Sequence, residues 1–179
     1  MHFYKKGLVI AASLLLFACG LADDDDHDHD DYDHGFEIHH FMAAPSGAET
    51  MPAQPITVSA ANSKDFDVMW TVHGHDPYTV KVFLSNNPTK SDDDSLIHSA
   101  TCGSDSAAHS CDEDGMVMCM FMTTGGASNR ISCASAAAVD ISTQVAHIHD
   151  TVNLNLVLEA CNQAGDDCLT ETVPFNLAP

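Results

Sequence analysis

Phe66-Asp67-Val68-Met69-Trp70-Thr71-Val72 decides the fold, because Phe66, Val68, Trp70 and Val72 alternate with Asp67, Met69 and Thr71. A period of two belongs to an extended strand with one face buried. After the turn residues His73 to Pro77 the period resumes at Tyr78, Val80, Val82 and Leu84. It returns at Val152, Leu154, Leu156, Leu158 and Ala160. No stretch of comparable length carries a helical period, although Ala134 to Val139 has room for a short turn. Short strands separated by turns at this spacing predict an all-β chain, an antiparallel immunoglobulin-like β-sandwich running from Ile56 to Pro179.

Composition changes sharply upstream of that domain. Asp23 to Asp33 is almost devoid of apolar residues, and its aspartates are interleaved with His27 and His29, with His34, His39 and His40 following. Such a run buries too little apolar surface to offset the entropy of ordering, so it reads as a disordered N-terminal tether. Met42 to Pro55, rich in Ala, Pro, Ser and Gly, reads as a linker. The expected organisation is therefore a signal segment over 1–18, a tether and linker over 19–55, and the sandwich over 56–179.

The first residues supply the reason for export. Lys5 and Lys6 precede an apolar run from Leu8 to Phe17, which is too short to span a bilayer as a mature helix. Leu16-Phe17-Ala18-Cys19 resembles the bacterial lipobox, with Phe17 bulkier than is usual at its position. The resemblance implies removal of the signal and acylation of Cys19, so that a lipid bilayer becomes a partner of the chain. Gly20 stands where enteric lipoproteins retained at the inner membrane carry aspartate, which implies an outer-membrane lipoprotein facing the periplasm or the cell surface.

Export changes the meaning of the other cysteines. Of the seven in the chain, setting aside Cys19 leaves Cys102, Cys111, Cys119, Cys133, Cys161 and Cys168. An even set in an oxidising compartment reads as a disulfide framework. A hairpin centred on Gly126 places Cys119 opposite Cys133, and one turning at Ala164-Gly165 places Cys161 opposite Cys168. Cys102 and Cys111 remain, and their bond would close the small loop between them. Removing Lys5 and Lys6 with the signal takes the formal net charge from −20 to −22. That charge excludes nucleic acid as a partner and favours divalent cations or basic envelope and surface proteins.

Two segments carry a family resemblance. Phe66 to Thr71 followed by Pro77 to Val82 resembles strands B and C of a fibronectin type III or related immunoglobulin-like domain. Leu156 to Gly165 is similar to that family's strand F and the turn into strand G, which would be Leu169 to Leu177. The strand F tyrosine is missing, and every domain cysteine follows Trp70, so the immunoglobulin Cys…Trp…Cys order is absent. Trp70 itself reads as a core anchor.

Histidine and aspartate carry most of the candidate chemistry. His27-Asp28-His29-Asp30, His73-Gly74-His75-Asp76 and His147-Ile148-His149-Asp150 all spell His-x-His-Asp. On an extended chain this spacing puts both imidazoles on one side, where they suit Zn, Ni or Cu ions, and the aspartates can complete or orient the shell. The Asp23 to His40 tract resembles the flexible loops of periplasmic zinc-uptake proteins, which implies weak collection of metal; no cofactor is obligatory. In the resembled topology His73 and His75 lie at one end of the sandwich and His147 and His149 at the other, so each pair reads as polar loop residues. Met116, Met118, Met120 and Met122 share a face opposite Val117, Cys119 and Phe121. Thioethers at this spacing suit Cu(I), but because both faces are apolar the methionines read as core. Asp92-Asp93-Asp94 and Asp112, Asp114 and Gly115 are incomplete calcium loops and read as solvated turns.

No nucleophile elbow, phosphate loop or His-Glu-x-x-His motif is present in the sequence, so the expectation is a non-enzyme. The preferred reading is a lipid-anchored envelope binding module with a low-affinity metal-collecting tract. Its rivals are a dedicated zinc or copper carrier with its site in the folded domain, and a structural or adhesion lipoprotein in which the tract is a spacer. Replacing the acylated sulfur should separate chain from membrane without touching the domain. Cys19→Ser is expected to move the protein from the membrane to the soluble fraction on cell fractionation; an unchanged membrane fraction would remove the anchor.

Overall fold

The computed structural model describes residues 36–62, 64–74, 77–103, 111–124, 128–134, 136–146 and 148–179. Cys19, the signal segment and the greater part of the Asp/His tract lie outside the described residues. Among the described residues ten strands follow one another: β1 (Glu37–Pro45), β2 (Ile56–Ser59), β3 (Asp65–His73), β4 (Tyr78–Ser85), β5 (Ser95–Cys102), β6 (Asp114–Thr124), β7 (Ser128–Cys133), β8 (Val139–Asp140), β9 (Val152–Asn162) and β10 (Cys168–Ala178). They form two sheets, β1-β3-β6-β7-β8 and β2-β10-β9-β4-β5. All pairings are antiparallel except β2 with β10.

This is an immunoglobulin-like sandwich. β3 and β4 stand where strands B and C were expected, and β9 and β10 where F and G were expected. β7 and β8 widen the first sheet beyond β6 before the chain crosses back to β9. The alternation read from sequence becomes burial directly. Phe66, Val68, Trp70 and Val72 from one sheet meet Tyr78, Val80, Val82, Leu84, Leu154, Leu156, Leu158 and Ala160 from the other, all buried. Phe66 and Phe175 touch across the layers with ring centroids 5.0 Å apart.

The domain begins earlier than Ile56. Glu37–Pro45, read from sequence as tether and linker, is β1, an edge strand paired along β3. Two features hide it from a periodic reading. A register shift between Ile38 and His40 breaks the alternation, and Ala43 and Ala44 fill the strand with small side chains that resemble a linker. Phe41 and Ala43 nonetheless enter the core.

The three disulfides join Cys102 to Cys111, Cys119 to Cys133, and Cys161 to Cys168. The latter two sit at directly opposed positions of the β6–β7 and β9–β10 hairpins, as the turn positions predict. Gly165 takes φ +75°, which glycine adopts without a Cβ clash, and its N–H donates to the Asn162 carbonyl at 3.0 Å. A hydrogen bond ties the two sheets at the start of β4. Tyr78, fully buried on β4, donates its hydroxyl to the Asp112 carbonyl at 2.7 Å, on the chain entering β6. Burial pushes this phenol up to about 12; the indole of Trp70 opposes the shift, and the charges of Glu113, Asp114 and Asp112 add to it.

Trp70 is the core anchor that its sequence setting predicts, and its seat is a glycine. Trp70 and Gly115 are directly opposed on β3 and β6, and a Cβ at Gly115 would overlap the indole. Gly115→Ala is therefore expected to lower stability by about 1–3 kcal/mol, the usual penalty for overpacking, measured by urea unfolding. Trp70→Phe in the Gly115→Ala background should recover part of the loss. Additive effects would show that the contact is not the cause.

Candidate functional site

Register brings together side chains that are far apart in sequence. Glu37, at the start of β1, is directly opposite His73, at the end of β3, and His39 sits in the adjacent irregularity of β1. The imidazoles of His39 and His73 lie with ring centroids 4.3 Å apart and planes inclined at 47°. Each has its own carboxylate: His39 Nε2 is 3.4 Å from Glu37 Oε2, and His73 Nε2 is 3.5 Å from Glu113 Oε2. All four side chains are substantially exposed.

Two imidazoles and two carboxylates are a donor set suited to a borderline divalent ion. The set is open: among the described residues no three His, Cys, Asp or Glu side chains already converge as a shell. Exposure leaves the four free to change rotamer, which fits binding that is weak and reversible rather than enclosed. Sequence spacing pairs His73 with His75, which lies outside the described residues; the structure also brings His39 to His73, from a strand that spacing alone did not reveal. Glu37 and Glu113 carry no motif and become legible only through the register of β1, β3 and the chain entering β6.

The remaining candidates separate by position. His75 and His147 lie outside the described residues, as do His27, Asp28, His29, Asp30 and His34. His149 lines a small cleft with Thr123, Ser128, Asn129, Ile148 and Pro179. That cleft is at the far end of β6 from Glu113, about 30 Å away at the rise of an extended strand. His73 and His149 therefore occupy opposite ends of the sandwich, as the strand assignment predicts. His40 is on β1, beside Thr71 of β3, and so belongs to the domain rather than to a tether. Asp94 closes a turn by accepting from the Ser91 N–H at 2.7 Å and the Ser91 hydroxyl at 2.9 Å.

No family model, curated protein or solved structure matches the chain. The arrangement of residues is thus the whole basis for a functional reading.

One expectation is reversed. Met116 and Met118, read as core, are 67% and 56% exposed, while Val117, Cys119 and Phe121 face inward. Parity cannot choose between two apolar faces. The choice is made by the inward Cys119–Cys133 bond and by Gly115 under Trp70.

His98, which no motif singles out, lies on β5 with its ring 5.9 Å from that of Trp70. Partial burial holds its pKa below the ordinary 6.5. Because the fold prefers the neutral ring, the unfolded chain takes up the proton first. Stability from this group is complete above about pH 6.5 and declines as pH falls through that value toward the lower folded pKa. Melting temperature followed from pH 7.5 to 5 should fall less steeply for His98→Phe than for the native chain; parallel slopes would refute the assignment.

Proposed function

We propose that the protein is an exported, lipid-anchored envelope module that acts by binding transition-metal ions, gathered by the Asp/His tract and received at the folded domain. The observation that carries this reading is the pairing of His39 with His73, each beside a carboxylate, where the Asp/His-rich sequence runs into β1. Histidine at such density has little value as a spacer, and two exposed imidazoles set side by side on neighbouring strands add little to stability.

Charge and compartment support the same reading. A net charge of −20 for the whole chain raises the local concentration of cations. Three disulfides in a domain of this size fit an oxidising compartment, in which the thiols are consumed as cross-links and imidazole and carboxylate remain as metal donors. The lipobox resemblance around Cys19 supports tethering to the outer membrane. Binding, rather than turnover, is the assigned activity.

Titration of the purified full-length protein with Zn²⁺ or Ni²⁺ by calorimetry tests the proposal. Several sites of micromolar or weaker affinity are expected. Their occupancy should fall steeply from pH 7.5 to 5.5, because protons compete with the metal for imidazole ligands. His39→Ala/His73→Ala should weaken the tightest of these sites about tenfold or more, and deletion of Asp23 to His34 should reduce the number of ions bound while leaving β1 intact. An isotherm unchanged by both alterations would overturn the reading.

A further inference from the structure

The outer faces of the two sheets are finished differently. On the second sheet, Lys81 and Lys90 both pair with Glu159, at 3.4 and 3.1 Å, and the Lys90 ammonium lies 4.9 Å over the ring of Phe83. Thr172 donates to the Pro88 carbonyl at 2.8 Å, holding the Pro88 to Lys90 segment across that face. The first sheet carries thioethers instead. Met42 of β1, Met69 of β3 and Met116 of β6 are directly opposed in one cross-strand row. Met118, Met120 and Met122 continue along β6 on the same face, so that Met51 is the only other methionine of the domain.

An imidazole sits beside that row. His40 is two residues before Met42 and opposite Thr71, which places it on the same outer face. Its Nε2 is buried with no hydrogen-bond partner. Burying an imidazole nitrogen without a partner is unfavourable, and in the tautomer protonated at Nδ1 this nitrogen is available as a ligand. Neighbouring positions in an antiparallel ladder are about 5 Å apart and alternate positions on one strand about 7 Å, distances that flexible methionine side chains span. Asp114, which accepts from the Thr71 hydroxyl at 2.6 Å, adds negative charge one row away.

We propose that His40 Nε2 and the thioether sulfurs of Met42, Met69 and Met116 bind a soft monovalent ion, Cu(I). Neutral thioethers are poor ligands for Zn²⁺ or Ni²⁺ and good ones for Cu(I), and one imidazole with two or three thioethers meets its preference for few, soft donors. Met42 is buried and Met69 half-buried, so their positions are set by the sheet, while exposed Met116 closes the shell from the solvent side. None of these four residues belongs to the His39, His73, Glu37 and Glu113 set, and the ion differs. The inference therefore stands without the divalent-ion reading.

The test uses the purified full-length protein labelled with ¹³C at the methionine methyls, in chloride-free buffer. It is titrated with Ag⁺ as a redox-inert probe and, anaerobically, with Cu⁺ in competition with bicinchoninate. One equivalent is expected to shift the methyl signals of Met42, Met69 and Met116 and the ring signals of His40, while Met51 stays in place. Met69→Leu/Met116→Leu, close to the native volume, should weaken Cu⁺ binding at this site at least tenfold, and His39→Ala/His73→Ala should leave the methyl shifts intact. Equal shifts at Met51 and the sheet methionines, or no shift at Met42 and Met69, would overturn the site. So would unchanged Cu⁺ affinity in the leucine variant; if that variant unfolds, the methyl pattern of the native chain decides.

Discussion

The seating of Trp70 on Gly115 sets the register of β3 against β6, and most of what distinguishes this sandwich follows from that register. A slip of one residue would exchange the two faces of a strand. With the indole over glycine, Val117, Cys119 and Phe121 are committed to the core and the methionines to the outside. Cys119 can then meet Cys133 inside the sandwich, and the hairpin of β6 and β7 is locked with the same parity. The same register brings Glu113 to His73 and the Asp112 carbonyl to Tyr78. One tight contact between a large ring and an absent side chain thus arranges both the core and the surface chemistry.

What could be read from the chain divides along physical lines. Strands with one apolar and one polar face announce themselves, which is why β3, β4 and β9 and the hairpin disulfides were legible. β1 was not, because a bulge at His39 interrupts its period and alanines lower its apolar signal. β6 was recognisable as a strand but not in its orientation, since Met and Val are both apolar and alternation carries no sign. The His39–His73 pair was illegible for a different reason. Proximity in a sheet is decided by register between strands, and His39 lies across the sheet from His73, where spacing along the chain gives no sign of it.

The two outer faces show how one fold can carry two kinds of surface. Ion pairs and a folded-back segment on the second sheet cover Phe83 and the fully buried Val157, so that this face presents charge to water. The first sheet leaves large, polarisable side chains exposed, a state that solvation alone does not favour. Carboxylates and imidazoles are gathered at its Glu37 end, and sulfur lies farther along. Hard and soft donors are therefore sorted along one surface by strand register.

The irregularity that presents His39 has a consequence for how copies of this chain coexist. β1 is an edge strand, and a long regular edge offers free N–H and C=O groups to the edge of another molecule. Here the run is interrupted near one end by the bulge between Ile38 and His40 and closed at the other by Pro45, which has no N–H to give. The regular stretch left between them runs only from His40 to Ala44. The feature that turns an imidazole toward its partner also shortens the run of edge that a second copy of this chain would find to pair with.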